Sequence, residues 1–519
     1  MMKVILPLAA LVLLGACTKQ SGLATADEQQ PAGEVLSTQH IDAAIKNSIV
    51  QTGSFNWSKA TDREVWSALQ QSDKGIAIGY KPTHYTADVA QTIHQVDIHT
   101  GEWATAKNQV LDMVYNLERK GNPALTRDML LAYEENTLPV LYLVVNRLET
   151  VQALRQSGMV RYADPTGYHP LGTGLFETTE NLAPMSSSGC GSNVAESGLT
   201  EPADFTTITP GAKQSWNYGF HNIPAAWARS TGAGRRVMII DTGLSPDQSL
   251  FGSLLNTGFS TGRTVERLVT LRRNGFLGVG YGSVETSPND GCGHGTSMAG
   301  AALSPRNSSG GTVGVAYNAS LISVRATVDV LINESRENKG VADALVLAGN
   351  RSDVQIVSMS IGNITSNGNV TDGINYAFNR GKLIFAAAGT SFGLTAGWVG
   401  VIFPASLGNV RAVTGVKDNN SRCDACHDGS KVDFTVVMEK SSNGRKPLSA
   451  AQSGIAPSTV GGSSVATATT SAIAALVWSA NPGLSREQVV NKMILAASNY
   501  PNRSSNFGWG RVNANTAVQ

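Results

Sequence analysis

Hydrophobic and polar positions are patterned differently in successive stretches of the chain, and each pattern predicts a different kind of element. After Lys3 an unbroken apolar run extends from Val4 to Ala16, too short to cross a bilayer comfortably but of the length of a signal-peptide core. From Thr18 to about Val35 the chain is rich in Ser, Thr, Gln and Glu without hydrophobic period, and reads as a tether. Between about Thr92 and Asp164 the pattern predicts strand Ile93 to Ile98, helix Thr105 to Lys120, strands Met129 to Tyr133 and Val140 to Val145, helix Leu148 to Gln156 and strand Val160 to Ala163. Ala106, Val110, Val114 and Leu117 share one helical stripe, and the order matches a split βαβ unit. From about Tyr168 to Gly211 Ser, Gly, Thr and Pro prevail, the composition of an exposed connector that tolerates cleavage.

After Trp216 short apolar runs alternate with helical segments, which predicts βα units on a parallel sheet. Its expected strands are Val237 to Ile240, Leu321 to Val324, Ile356 to Met359 and Leu383 to Ala387, and its strongest helix runs from Val465 to Ala480. The chain therefore divides into a signal peptide (1–16), a tether and N-terminal extension (17–74), a small α+β domain (75–167), a linker (168–211) and an α/β domain (212–519).

Composition narrows the function classes. With 519 residues, 41% apolar, 15% charged and 54 glycines, the chain suits a tightly folded, loop-rich enzyme better than a disordered or coiled-coil protein. Its formal charge is +1 and no long Lys/Arg block occurs, so no nucleic-acid groove or polybasic membrane patch is indicated. The junction Leu14-Gly15-Ala16-Cys17 resembles the bacterial lipobox, which implies that Cys17 carries a diacylglycerol and anchors the mature chain to a lipid bilayer. Thr18 rather than Asp after that Cys implies, by the same resemblance, the outer membrane of a Gram-negative cell.

Three segments carry candidate chemistry. Arg235 to Gly243 ends an apolar strand in Asp241-Thr242-Gly243, at the carboxyl edge where α/β sheets present functional groups. A single such Asp could equally cap a turn, and an aspartic protease would need two copies. Asp290-Gly291-Cys292-Gly293-His294-Gly295-Thr296 sets one of eight histidines among glycines at the start of an apolar helix, where a second strand can approach the imidazole. Gly461-Gly462-Ser463-Ser464 opens the helix to Ala480. A Ser there is usually an N-cap, yet the helix start also supplies N–H groups and a positive dipole end for an oxyanion.

The order Asp, His, Ser resembles that of subtilisins and differs from the orders of chymotrypsins and α/β-hydrolases. The resemblance spans about 300 residues, through the three motifs above, Val313-Gly314-Val315-Ala316, Met359-Ser360-Ile361-Gly362, Ala386-Ala387-Ala388-Gly389, Phe403-Pro404-Ala405 and Gly462-Ser463-Ser464-Val465-Ala466. It implies a subtilisin-like three-layer α/β fold with a mostly parallel central sheet, preceded by a propeptide-like α+β domain. It also implies an extracytoplasmic serine endopeptidase acting on protein or peptide substrates.

By that resemblance Ser464 is the nucleophile, His294 the general base and Asp241 its orienting carboxylate. Ser360, Ile361 and Gly362 would pair with substrate backbone, and Ala387 and Gly389 would wall the pocket for the residue before the cut. Residues 75–167 resemble an inhibitory propeptide, a partner of the enzyme itself; a plain accessory domain is the alternative. Where most members have Gly-Asn, this chain has Gly389-Thr390, which replaces an oxyanion donor worth about 100- to 1,000-fold in rate. Ala468 stands where Pro is common, and Ser463 and Val465 replace Thr and Met. Thr390 therefore keeps a second reading open, a weakly active subtilisin-fold peptide-binding module.

Cys190, Cys292, Cys423 and Cys426 allow three disulfide connectivities, of which Cys190 with Cys292 and Cys423 with Cys426 is favoured. Cys423-Asp424-Ala425-Cys426-His427 matches the haem-attachment pattern but lies in what resembles a surface loop, without a second axial ligand. No cofactor is required. Calcium is common in the family, but no acidic ligand loop supports it, Asn307 to Thr312 being a faint echo of one, and no metal ligands are assigned.

Overall fold

The computed structural model describes residues 33–170, 190, 193–273, 282–390 and 400–519. Cys17, the apolar leader and residues 171–189 of the expected linker lie outside them. Ile41, Ile45 and Ile49 recur at helical spacing and are buried on one face of α1 (Thr38–Thr52). Ser37 caps its start, and Gly53 in the left-handed region ends it. A Thr61/Glu64 capping box opens α2 (Asp62–Gln70). Then follow β1 (Gly75–Tyr80), α3 (Gly101–Glu118), β2 (Leu131–Tyr133), β3 (Val140–Val144), α4 (Leu148–Gln156) and β4 (Val160–Pro165). The four strands form an antiparallel sheet in the order β2-β3-β1-β4.

Two expectations for this half give way. Ile93 to Ile98 is not a strand. Asp88 caps a helical turn at Val89–Thr92 that passes into a 3-10 turn at Ile93–Gln95, and the Asp97 carboxylate then binds the His99 N–H and Thr100 hydroxyl, closing a turn. The central strand is instead Gly-Ile-Ala-Ile-Gly-Tyr at Gly75–Tyr80, all six residues buried. Of Met129 to Tyr133 only Leu131–Tyr133 is strand, because Thr126 caps a helical turn over Arg127–Leu130. Both α1 and α2, inside the stretch read as tether and extension, pack into the same core as the sheet. Part of 168–211 is ordered as well: Tyr168 is buried with its O–H donating to Asp42 Oδ1 at 2.7 Å, and Phe205–Ile208 pairs with Ala212–Ser215.

The second half is built on β5 (Arg236–Asp241), β6 (Val265–Val269), α5 (His294–Leu303), β7 (Ser320–Arg325), α6 (Ser335–Asn350), β8 (Ile356–Met359), α7 (Gly368–Asn379), β9 (Leu383–Ala387), β10 (Arg411–Lys417), β11 (Val432–Glu439) and α8 (Gly462–Ala480). Seven strands pair in parallel in the order β11-β10-β9-β8-β5-β7-β6. Alternate residues of β5 serve opposite faces. Val237 and Ile239 join α5 and α8 in one core, whereas Met238 and Ile240 join α6 and α7 in the other, which gives the expected three layers. All the β5 side chains from Val237 are buried, as the sheet's two covered faces require.

The N-terminal sheet rests on α6 and α7. Arg161 forks onto both oxygens of Asp372 at 3.0 and 2.6 Å, and Tyr162 donates to the same carboxylate at 2.7 Å. Asp164 accepts from the Gly368 N–H at the start of α7, Thr166 meets Ser335, and Ala342 and Tyr376 enter the N-terminal core. Cleaving a buried fork such as Arg161–Asp372 on one side costs about 3–5 kcal/mol, because a charge stays behind unpaired. The two halves from Val35 to Gln519 accordingly form one compact unit. Among the described residues no helix is long and apolar enough to cross a membrane.

Candidate active site

Asp241 is the last residue of β5, and the turn that follows it is held open for a second segment. Gly243 has φ +111°, and a Cβ there would meet Pro288 O at 2.5 Å. A Cβ on Gly295, in the first turn of α5, would lie 2.3 Å from Gly243 O. The glycines flanking the two motifs thus let the helix bearing His294 pack directly on the turn bearing Asp241. The result is a hydrogen bond of 2.7 Å between His294 Nδ1 and Asp241 Oδ1, with both side chains buried. Burial draws the imidazole toward its neutral form. The Asp241 carboxylate, its hydrogen bond and the further charges of Asp290 and Asp329 outweigh that, so the His294 pKa lies above the ordinary histidine value.

Ser464 occupies the first turn of α8, whose N-cap is Gly461. His294, Ser360, Ile361, Gly362, Gly389 and Ser464 all line one cavity of about 350 Å³, as do Ala387 and Thr390. Asp241 lies behind His294. The Ser360 hydroxyl donates to Ser464 O at 2.9 Å, which fixes the strand end to the helix start. Gly362 is already paired: its N–H donates to Val330 O at 3.1 Å and its C=O accepts from Ile332 at 3.0 Å. A substrate strand that pairs with Gly362 has to displace this segment, a constraint that nothing in the Ser-Ile-Gly motif signals.

Thr390 does not point freely into the cavity. Its Oγ1 accepts from the Ser463 N–H at 3.2 Å and lies 2.7 Å from Ser463 Oγ, so the hydroxyl is tied to the start of α8. Gly389 has φ +127°, and a Cβ there would fall 2.3 Å from His427 Nδ1. The Cys-x-x-Cys-His segment is therefore a buttress. Cys423 and Cys426 are joined by a disulfide, the His427 N–H donates to Gly389 O at 3.0 Å, and its Nδ1–H donates to Gly400 O at 3.0 Å. Burial lowers the His427 pKa to about 4, so the ring stays neutral. The other pair, Cys190 with Cys292, is also formed.

Asn307 closes its own loop, its carboxamide donating to Pro305 O and Gly311 O and accepting from Ser309 and Gly311. The calcium echo is thus filled by one side chain. Among the described residues no group of three or more His, Cys, Asp or Glu could hold a metal ion. The sequence reading left Asp290 and Thr242 without a role, although an acid four residues before His294, in a stretch of glycines with few other acceptors, is a signal that could have been used.

Comparison with known proteins gives the family. The profile of the subtilase family matches residues 232–510. Alkaline elastase YaB of Bacillus sp. (strain YaB) is 31% identical over 327 residues, 62% of this chain and 74% of that protein. Thermitase of Thermoactinomyces vulgaris is 28% identical over 312 residues, 59% of this chain and 96% of that protein. The solved structure of the MycP3 protease from the type VII (ESX-3) secretion system is 23% identical, with a TM-score of 0.48, over 63% of this chain and 91% of that one. With the profile covering more than half of the sequence and its strand order, helices and cavity in place, the chain belongs to the subtilase family of subtilisin-like serine endopeptidases.

Proposed function

We propose that the chain hydrolyses peptide bonds outside the cytoplasm through an acyl-enzyme, with Ser464 as nucleophile, His294 as general base and acid, and Asp241 as the carboxylate that orients the ring. The observation that carries this reading is the buried 2.7 Å contact of Asp241 with His294 Nδ1 beside a cavity that Ser464 also lines. With Nδ1–H committed to Asp241, Nε2 is the nitrogen left to take the Ser464 proton and return it to the leaving amine. The N–H groups at the start of α8 face the charge that develops on the carbonyl oxygen. Labelling by a fluorophosphonate, read together with cleavage of a peptide library, tests the proposal. A folded protein that neither labels nor cleaves would favour the second reading, a peptide-binding subtilisin fold, for which the tethered Thr390 hydroxyl is the supporting observation.

In the same reading residues 75–167, extended by α1 and α2, act as an inhibitory propeptide docked on α6 and α7. Its release should depend on pH through Asp164. Burial pushes this carboxyl up to about 7 from 3.8, against the Gly368 N–H bond and the charge of Arg155 that favour its ionised form. Released into water, Asp164 returns to the lower value and binds its proton less tightly. Its share of docking stability is therefore fully present below pH 3.8 and is lost as pH rises toward 7. Once the linker is cut, dissociation should be at least about tenfold easier at pH 8 than at pH 5. Asp164→Asn should flatten that dependence in a binding titration of the cleaved complex, and an unchanged slope would dismiss the role.

Cys17, outside the described residues, is proposed as the lipid-bearing first residue of the mature chain. Radiolabelled palmitate should enter the wild type and not Cys17→Ala. Equal labelling of the two would refute the anchor.

A further inference from the structure

The carboxylate of Asp290 is buried at 4% exposure and accepts five hydrogen bonds, and its partners come from both sides of the Asp241–His294 pair. Oδ1 accepts from the Thr242 hydroxyl at 2.8 Å and from the N–H groups of Cys292 and Gly293 at 3.0 and 2.6 Å. Oδ2 accepts from the N–H and hydroxyl of Thr296 at 2.8 and 2.7 Å. Each threonine hydroxyl then passes the link across. Thr242 Oγ1 accepts from the Gly295 N–H at 2.9 Å, and Thr296 Oγ1 accepts from the Ser245 N–H at 2.9 Å. Thr242, the residue after Asp241, is thus bound directly to Gly295, the residue after His294, and through Asp290 to Thr296 one position further on. Gln452 Nε2 holds the Asp290 carbonyl, and the disulfide to Cys190 fixes the neighbouring Cys292.

We infer that Asp290 is a positioning residue for catalysis, a buried anion that locks the Asp241 turn to the first turn of the His294 helix and so sets the approach of carboxylate to imidazole. The inference rests on the proposed roles of Asp241 and His294. Five donors aimed at one carboxylate exceed what closing a loop requires, and an amide in its place must turn an NH₂ toward at least one N–H or O–H that now donates. The anion also acts at a distance. The charges that bear on the imidazole are Asp241 at the end of β5, Asp290 in the preceding loop and Asp329 in the segment after β7. Removing one of the three lowers the preference of the ring for its proton.

The test uses the full chain, three variants at Asp290 and Thr242, and a Ser464→Ala background. Asp290→Asn should lower kcat by about 10- to 100-fold with KM within about twofold, as a displacement confined to the catalytic groups does. The acid limb of kcat/KM should move to lower pH. In a Ser464→Ala background, the ring resonances of His294 followed by NMR should titrate at lower pH in Asp290→Asn than in its absence. Thr242→Val should lose about tenfold or more in kcat, and Thr242→Ser, which restores the hydroxyl, should recover most of it. If Asp290→Asn does not fold, the threonine pair decides. A folded Asp290→Asn with kcat and the His294 midpoint unmoved, or Thr242→Val and Thr242→Ser equal to wild type, overturns the inference. Should the wild type itself neither label nor cleave, the proposed function fails, while the His294 titration still decides the role of Asp290.

Discussion

Replacing Ser464 by alanine is expected to abolish fluorophosphonate labelling and to lower kcat by about five to six orders of magnitude, the scale known for loss of the nucleophile in subtilisins generally. The chain's own geometry makes this a chemical test and not a folding one. Ser464 lies inside the first turn of α8, while the capping position belongs to Gly461. Among the described residues no backbone donor bonds its hydroxyl, and the contact it shares with Ser360 is made through its main-chain oxygen. Stability should therefore change by no more than about 0.5 kcal/mol, as for a substitution that leaves no cavity or orphaned partner. Denaturant melts of the two proteins should coincide. Adding His294→Ala to Ser464→Ala should cost almost nothing further, because residues that act as a unit are not additive. Residual cleavage by Ser464→Ala at a tenth of the wild-type rate would remove the serine mechanism, whatever the family.

What could be read in the sequence follows from where physical constraints concentrate. That Asp241, His294 and Ser464 would be brought to one place could be read because each sits in a short motif flanked by glycines, and Gly243 and Gly295 prove to touch one another's segments. Strands Ile356–Met359 and Leu383–Ala387 were legible as buried apolar runs. Val265–Val269 was not: as the edge strand of the sheet it is half-buried throughout, and Val-Glu-Arg-Leu-Val shows neither alternation nor a continuous apolar run. Gly75–Tyr80 failed for another reason. Its second glycine looks like a strand breaker, yet a Cβ there would fall 2.3 Å from the Tyr162 ring, so the neighbour on β4 demands it. The pairing of Gly362 with residues 330–332 depends on contacts between distant segments that no local pattern encodes, and of the network around Asp290 only the part within its own loop was open to reading, since the Thr242 hydroxyl reaches it from a distant segment.

The substitution Thr390→Asn is expected to raise kcat by about 10- to 100-fold with KM within about twofold, since a donor aimed at the oxyanion acts on the transition state alone. The present hydroxyl is a poor donor because of where it is held. Its oxygen accepts from the Ser463 N–H and contacts the Ser463 hydroxyl, both on the helix that presents Ser464, and a Cβ on Gly462 would lie 3.1 Å from it. An asparagine carries its NH₂ one bond further out, while its Oδ1 can take over as acceptor for the Ser463 N–H, so the exchange need cost only about 1 kcal/mol of stability. Thr390→Val supplies the opposite arm. It keeps the shape and leaves the Ser463 N–H without its partner, and if the hydroxyl donates even part of the time kcat should fall by about tenfold. A graded order of Asn, Thr and Val in kcat at constant KM would identify position 390 as the side-chain donor of the oxyanion site. Equal rates for all three would instead place the whole of that stabilisation on the N–H groups at the start of α8, which the lone pair of Thr390 would then serve only by holding Ser463 in position.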